Sequence, residues 1–185
     1  MDHAIIIDET RRWIAAIVIG LNLCPFARRV FDADRIRFVV SAAMDEPTLL
    51  ADLTDELKLL AASTSIETTL LIHPHALTDF LDYNDFLDVG DERIEALGLT
   101  GVIQLASFHP RYQFADTDAD AVENYTNRSP YPMLHLLREE SIDAIADDPD
   151  DLLAIPERNI ETLRALGRAK ILQMLSEIRG RKDGQ

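Results

Sequence analysis

The chain contains little of the cysteine, positive charge and unbroken apolar sequence that several classes of protein require. Its 185 residues include one cysteine, so no disulfide can form within the chain and nothing suggests secretion. Lysines and arginines number 18 against 33 aspartates and glutamates, and the formal net charge of -15 disfavours binding to nucleic acid or anionic membranes. The longest apolar-rich stretch, residues 14–23, is too short to cross a bilayer.

The N-terminal residues lack the pattern of a signal peptide, because Asp2, Asp8 and Glu9 interrupt any basic and then apolar run. We therefore expect a cytoplasmic protein with no nucleic-acid or membrane partner. A hydrophobic content of 47% is enough to bury a substantial core, and no repeat or composition break divides the chain. The sequence predicts one α/β domain over residues 1–185 and leaves the oligomeric state open.

Short apolar runs predict three strands, and helical patterns separate them. The three runs are residues 36–42, 68–73 and 102–108. Between them, leucines at helical spacing follow Pro47, and residues 77–97 predict a second helix that is interrupted near Val89 and Gly90. Strands joined through helices usually pair in parallel, so we expect a small, mostly parallel sheet of about three strands.

Further helices are predicted at the two ends of the chain. Apolar residues at helical spacing predict one helix over residues 10–21. A second, long helix is predicted to begin at Pro156 and to continue through Ile178, where it packs on the sheet. Residues 179–185 are expected to fray.

The segment from Asn124 to Glu139 places two arginines, a histidine, a glutamate and two asparagines around one predicted helix start. Ser129 followed by Pro130 predicts the start of a helix that runs to about Ala146. Arg128 would stand at that helix start, where free backbone N–H groups and the helix dipole favour an anion. The segment is therefore a candidate anion-binding site.

Two side-chain relationships follow from the predicted helix. Arg138 falls within its apolar stripe, so it needs either a protein carboxylate or a bound anion as a partner. His135 and Glu139 are four residues apart and would share one flank, where they can orient a general base or bind a metal. The metal hypothesis is weak, because no third ligand has a suitable spacing.

Histidines follow two of the predicted strands. His73 and His75 come at the end of the second strand, and His109 comes at the end of the third, close to Arg111 and Tyr112. If these strands are parallel, His73 and His109 leave the sheet at the same edge, where open α/β sheets collect ligands. Each histidine can also be a structural residue before a proline-driven turn.

Three blocks carry a resemblance to a known family: residues 20–27 (GLNLCPFA), residues 107–114 (SFHPRYQF) and residues 124–139. On these blocks, and over nearly its whole length, the chain resembles an uncharacterised bacterial family, domain of unknown function fourteen-fifteen. The resemblance implies no established activity, cofactor or partner. It does imply that certain residues lie in characteristic blocks, namely Cys24, His109, Tyr112, Asn127, Arg128, Ser129, His135, Arg138 and Glu139.

The leading hypothesis is an enzyme that acts on a small anionic metabolite bearing a phosphate or carboxylate. Proton transfer is assigned to His109 or His135, and Cys24 is a possible nucleophile, although a lone cysteine in apolar surroundings is usually an inert small hydrophobe. The candidate catalytic residues are Cys24, His109, His135 and Glu139. The candidate substrate-binding residues are Arg111, Tyr112, Asn127, Arg128, Ser129 and Arg138.

Two alternatives stay open at this point. The first is a metal- or haem-binding protein whose ligands are Cys24, His109 and His135. The second is a non-catalytic interaction module, in which the arginines of the polar segment form internal ion pairs. The cofactor, the substrate and the reaction are left unknown.

Overall fold

A four-stranded sheet with helices against both faces forms the framework of the protein. The computed structural model describes residues 2–143 and 154–180. Its strands are β1 (Ile36–Val40), β2 (Thr68–Ile72), β3 (Ile103–Phe108) and β4 (Met133–Arg138). Its α-helices are α1 (His3–Trp13), α2 (Ala27–Asp32), α3 (Glu46–Ala62), α4 (Phe80–Ala96), α5 (Glu139–Asp143), α6 (Ile155–Leu166) and α7 (Arg168–Gly180). A π-helix (Ile14–Ile19) continues α1, and a 3-10 helix spans Val122–Thr126.

The strands lie in the order β1-β2-β4-β3. β1 and β2 are parallel, whereas β4 is antiparallel to both β2 and β3. The positions of the three predicted strands are confirmed, and all three run in the same direction. The expected mostly parallel sheet is wrong, however, because β4 separates β2 from β3 and makes two of the three strand pairs antiparallel.

The helix predicted from Ser129 to about Ala146 is wrong over residues 129–138, which are extended and form β4, whereas residues 139–143 are helical as α5. Met133 packs into the core on one face of the sheet, and Leu134 and Leu136 pack into the core on the other. A strand buried on both faces is a nearly continuous apolar run, and over six residues such a run is hard to distinguish from a helical stripe.

The residues before β4 are extended for a local reason. Pro130 and Pro132 each disfavour helical geometry at the residue that precedes them. The Ser129 hydroxyl donates a hydrogen bond to the carbonyl of Tyr131, so it does not cap a helix. The backbone therefore enters β4 in an extended conformation.

The two faces of the sheet pack against different helices. Trp13, Ile17 and Ile171 belong to the core that α1, the π-helix, α6 and α7 form on one face, which we call the α1 face. Leu53 and Tyr83 belong to the core that α3 and α4 form on the other, which we call the α3 face. Helices therefore cover both faces of the central strands β2 and β4.

The helices of the α3 face largely follow the sequence pattern. Asp45 caps α3 by accepting a hydrogen bond from the backbone N–H of Thr48, and Pro47 stands in the first turn. The interruption expected near Gly90 is absent, because α4 runs without a break from Phe80 to Ala96. A Cβ atom on Gly90 would lie 2.8 Å from Cδ2 of Leu105, so this glycine lets α4 approach β3 closely.

The helices at both ends of the chain differ from those predicted from the sequence. The helix expected over residues 10–21 begins earlier, at His3, and changes to π geometry at Ile14. The single C-terminal helix that was expected is two helices, α6 and α7. Gly167 lies between them with a φ of 79°, a left-handed value that an α-helix cannot contain.

Parts of two predictions fall outside the described residues. They are the end of the helix expected to reach Ala146 and residues 181–185 of the tail expected to fray. Arg179, the first residue of that expected tail, belongs to α7. Within residues 2–143 and 154–180, no helix has the length and apolarity that crossing a membrane requires.

Arg138 binds the C-terminal end of α3. Its Nε donates to the carbonyl of Ile66 at 3.3 Å, and its Nη2 donates to the carbonyls of Leu60 and Ser63. The expected carboxylate or anion partner is thus replaced by backbone carbonyls, which carry the negative end of the helix dipole. Arg138 joins β4 to α3.

We expect replacement of Arg138 by Met to lower the free energy of unfolding by about 2 kcal/mol, because the carbonyls lose charged hydrogen-bond donors. Urea denaturation followed by circular dichroism measures the change. The control is Arg29→Met, on the exposed surface of α2, which should shift stability by less than about 0.5 kcal/mol. Equal stabilities of the two variants would contradict the assignment.

Candidate functional site

The carboxyl ends of β1, β2 and β3 and the beginning of β4 meet at one edge of the sheet. Val40 pairs with Ile72, and Met133 pairs with both Ile72 and Phe108. We call this the carboxyl edge. The expectation that His73 and His109 leave the sheet at the same edge is confirmed, because each directly follows one of these strand ends.

His73, Tyr83 and His109 form a buried aromatic group beneath the carboxyl edge, on the α3 face. The Tyr83 ring centroid lies 5.8 Å from that of His73, at an interplanar angle of 15°, and 5.1 Å from that of His109. The Tyr83 hydroxyl donates to the carbonyl of Met133 and accepts from the N–H of Phe108, both at 2.9 Å. This phenol therefore links the end of β3 to the start of β4.

Each of the two histidines uses one ring nitrogen to hold its own turn. Nδ1 of His73 lies 3.0 Å from the carbonyl of Ala76, so it carries the proton. Nδ1 of His109 accepts a hydrogen bond from the backbone N–H of Arg111 at 3.0 Å. Both Nε2 atoms are buried, and neither has a hydrogen-bond partner among the residues that the structure describes. Burial lowers the pKa of each histidine to about 4, so both rings are neutral near pH 7.

A cleft opens at the same edge on the opposite side, towards α1 and α7. Its volume is about 380 Å³, and four of its eight lining residues are prolines. We call it the proline cleft; its lining residues are Glu9, Pro74, Thr78, Pro110, Pro130, Tyr131, Pro132 and Arg179. It is thus built from the turns after β2 and β3, the segment before β4, and one residue each from α1 and α7.

Glu9 and Tyr131 form a hydrogen-bonded pair in the wall of the proline cleft. Glu9 is only 3% exposed, and the Tyr131 hydroxyl donates to its Oε2. Burial and the neighbouring carboxylate raise the pKa of Tyr131 to about 12, so the phenol keeps its proton at neutral pH. The pair combines a buried acceptor with a fixed donor.

Two arginines lie close to this pair. Arg179 donates to the carbonyl of Pro130, and its guanidinium carbon lies 6.0 Å from the centre of the Tyr131 ring. Arg12 stands one turn from Glu9 on α1, pairs with Asp8 at 2.8 Å, and has Nε and Nη1 buried without an acceptor. Among the described residues no salt bridge joins Glu9 to either arginine.

Arg128 lies away from the cleft and binds the backbone of a loop. Its Nε donates to the carbonyl of Tyr112 at 3.0 Å, and its Nη2 donates to that of Ala119 at 2.6 Å. The guanidinium carbon is also 4.5 Å from the centre of the Tyr125 ring. The helix start that was expected to hold an anion beside Arg128 does not exist, since the following residues form β4.

His135 and Glu139 do not share one helix flank, as had been expected. His135 lies in β4 and points to the α1 face, where its Nε2 is 2.6 Å from the hydroxyl of Thr68. Burial lowers the pKa of His135 to about 4. Glu139 begins α5 beyond the far end of β4. The structure therefore separates both residues from the proline cleft.

Glu139 lines a different cleft, of about 820 Å³, between α4 and β3. Its acidic residues are Asp88, Asp91, Glu92, Glu95 and Glu139. Burial and the nearby Asp88 raise the pKa of Asp91. None of the described residues that line this cleft is a lysine or an arginine, so the lining is unsuited to an anionic ligand.

The other residues predicted for substrate binding form the turns of the carboxyl edge. Asn127 donates from Nδ2 to the carbonyl of Ser107, and Arg111 donates to the carbonyl of Thr78 and to Asp79. The ring centroids of Tyr112 and Phe80 lie 5.1 Å apart. These contacts explain much of the polar density of the segment as hydrogen bonding within loops.

Cys24 lies on the other side of the sheet from His109. It occupies the turn between the π-helix and α2, where the preceding residue, Leu23, belongs to the core of the α1 face. Burial raises the pKa of its thiol, which disfavours the reactive thiolate. In the described ranges no group of three or more His, Cys, Asp or Glu residues is arranged to hold a metal ion.

The sequence analysis did not identify Glu9, Tyr131 or Arg179 as site residues. No local spacing joins them, since Glu9 and Tyr131 are 122 residues apart. One signal was present: Glu9 stands on the same helical face as the apolar residues Ile6 and Trp13, where a carboxylate is unusual.

We expect the two edge histidines to make the protein sensitive to acid. The pKa of His73 is near 6.5 in an unfolded chain and about 4 in the fold, so between these values the unfolded state binds more protons. The free energy of unfolding should therefore fall as pH drops from 6.5 to 4, by up to about 1.4 kcal/mol per pH unit for one histidine. Urea denaturation at a series of pH values measures this slope.

The variant His73→Asn keeps a donor near the position of Nδ1 but cannot titrate, so its slope should be shallower than that of the wild type. His3→Asn, at an exposed position of α1, is the matched control and should leave the slope unchanged. A His73→Asn slope equal to that of the wild type would refute the expectation.

Most of the chain can be compared with a known protein family. A family model described as "Protein of unknown function (DUF1415)" matches residues 5–173, a range that includes Glu9 and Tyr131 but ends before Arg179. No curated protein and no solved structure matches the chain. The match confirms the resemblance seen in the three sequence blocks, and the chain belongs to the DUF1415 family of proteins of unknown function.

Proposed function

We propose that the protein is an enzyme that binds a small anionic molecule in the proline cleft and transfers a proton there. Arg179 holds the anion, Glu9 accepts the proton, and Tyr131 donates a hydrogen bond that keeps the carboxylate in place. The observation that carries the proposal is the Glu9 carboxylate itself, which is almost fully buried in a cleft wall and is bonded to a phenol.

A buried carboxylate destabilises a protein unless it has a strong partner. Two arginines lie near Glu9, yet neither forms a salt bridge with it in the described part of the chain. A purely structural carboxylate would gain most from such a pair. A carboxylate in a cleft wall, within hydrogen-bond reach of a neutral donor, has the position that a general base needs.

The histidines serve this site as positioning residues. The ring of His109 fixes the turn that contains Pro110, and the ring of His73 fixes the turn that contains Pro74. Both prolines line the cleft. His135 and Arg128, which the sequence had suggested for proton transfer and anion binding, have other partners and lie outside the cleft.

A second candidate function is the non-catalytic interaction module, and one observation favours it. Arg128 and Arg138 donate to backbone carbonyls and hold loops and helix ends together. On this account the polar segment is a scaffold, and Glu9 and Tyr131 are part of it. The two functions differ in what they predict for Glu9.

If Glu9 serves catalysis, Glu9→Gln should keep or raise the melting temperature, because a neutral amide is easier to bury and can still accept from Tyr131. A structural carboxylate gives the opposite result, a clear fall in melting temperature. Differential scanning fluorimetry measures the melting temperatures of the wild type and of Glu9→Gln. The control is Glu46→Gln, at the exposed start of α3.

Differential scanning fluorimetry also tests whether the protein binds an anion. Millimolar acetate, benzoate, inorganic phosphate and pyrophosphate are added in turn at constant ionic strength, and at least one should raise the melting temperature of the wild type. Arg179→Met should abolish that shift, whereas Arg29→Met should preserve it. An absence of any shift in the wild type, or a shift that survives in Arg179→Met, would overturn the proposal.

A further inference from the structure

We infer that the proline cleft selects a small monocarboxylate with an apolar body, rather than a phosphate or a dicarboxylate. The inference deepens the proposed function and rests on it. Three features of the cleft carry it: the number of charges in its lining, the chemistry of its walls and its volume.

The described part of the lining offers a ligand one cation, and therefore one partner for a negative charge. Among the described residues that line the cleft, Arg179 is the one cation and Glu9 is the one anion. Arg12 lies nearby on α1, but it does not line the cleft and its charge is paired with Asp8. A second negative charge on a ligand would have no cation of its own and would stand close to Glu9. The protein's net charge of -15 adds to this repulsion.

The walls of the cleft are poor in hydrogen-bond donors. Pro74, Pro110, Pro130 and Pro132 have no backbone N–H, so they cannot bind the oxygens of a phosphate or donate to the hydroxyls of a sugar. Phosphate sites are usually built from several N–H groups in a helix start or a glycine-rich loop. Four rigid rings, together with Tyr131, provide flat apolar surfaces instead.

The volume of the cleft suits a small molecule. It is about 380 Å³, near the lower end of the range of roughly 300–1,000 Å³ that is common for ligand pockets. A carboxylate head at Arg179 with an aromatic or branched aliphatic body against the prolines fits these limits. In such a pose the body lies along the wall to which Glu9 and Tyr131 both contribute.

Isothermal titration calorimetry with four matched probes tests the inference. They are benzoate, uncharged benzamide, the dianion terephthalate and inorganic phosphate, each titrated into the intact protein at fixed ionic strength. We expect benzoate to bind at least tenfold more tightly than the other three. Arg179→Met should weaken the binding of benzoate at least tenfold, and Arg29→Met should leave the affinity for benzoate unchanged.

A further variant tests whether the charge of Glu9, rather than the shape of the ligand, disfavours the dianion. Glu9→Gln removes the carboxylate that a second ligand charge would meet, so it should narrow the preference for benzoate over terephthalate. An unchanged preference in that variant would contradict the charge-matching part of the inference.

The outcomes also separate this inference from the proposed function. If phosphate or terephthalate binds tightly in an Arg179-dependent manner and benzoate does not, the inferred ligand class is wrong while the anion site stands. If benzoate and benzamide bind equally well, the cleft recognises an apolar body without a charge, and the inference fails. If none of the anions binds, both the inference and the proposed function are overturned.

Discussion

The pairing of β4 between β2 and β3 is the constraint on which the rest of the arrangement depends. Backbone hydrogen bonds on both sides fix its register, so Met133 lies level with Ile72 and Phe108. The extended residues before it, Pro130 to Pro132, must therefore lie between the turns that follow β2 and β3. The Tyr83 hydroxyl reinforces this junction by bonding to both β3 and β4. Without this insertion the cleft would lose its central wall.

The distribution of arginines gives the cleft its electrostatic character. In a chain with a net charge of -15, an anion can be held only where cations are placed locally. Arg128 and Arg138 donate to backbone carbonyls, and Arg111 donates to a carbonyl and to Asp79. Arg179 differs from these three because its guanidinium borders an open cleft and a buried carboxylate. Its position there depends on α7, which is separated from α6 by the turn at Gly167.

The sequence allowed β1, β2 and β3 and the shared edge of His73 and His109 to be predicted, because these depend on local patterns. Charged residues flank short apolar runs, and prolines follow the histidines. β4 is buried on both faces, as β2 is, but Ser129 and Pro130 before it resemble a helix start, so its apolar run was assigned to a helix. The break at Gly167 was in principle visible, but a glycine within a helical pattern is often tolerated.

The candidate site was harder to predict than the fold. The polar density of residues 124–139 was real, yet hydrogen bonds within loops account for much of it. Tyr131 lay within that segment but was overlooked, because its partner Glu9 belongs to the first helix and Arg179 belongs to the last. Only tertiary packing brings these three residues together. Local spacing therefore indicated the correct edge of the sheet but not the correct side chains.

The claim that Glu9, Tyr131 and Arg179 form a ligand site is tested most directly by NMR of protein labelled with ¹³C at the tyrosine Cζ atoms. The chain has four tyrosines, and Tyr131→Phe assigns the relevant resonance. Benzoate should shift the Tyr131 signal in a saturable manner and leave that of the buried Tyr83 unchanged. A Tyr131 signal that does not respond to benzoate, phosphate or any other small anion would contradict the account.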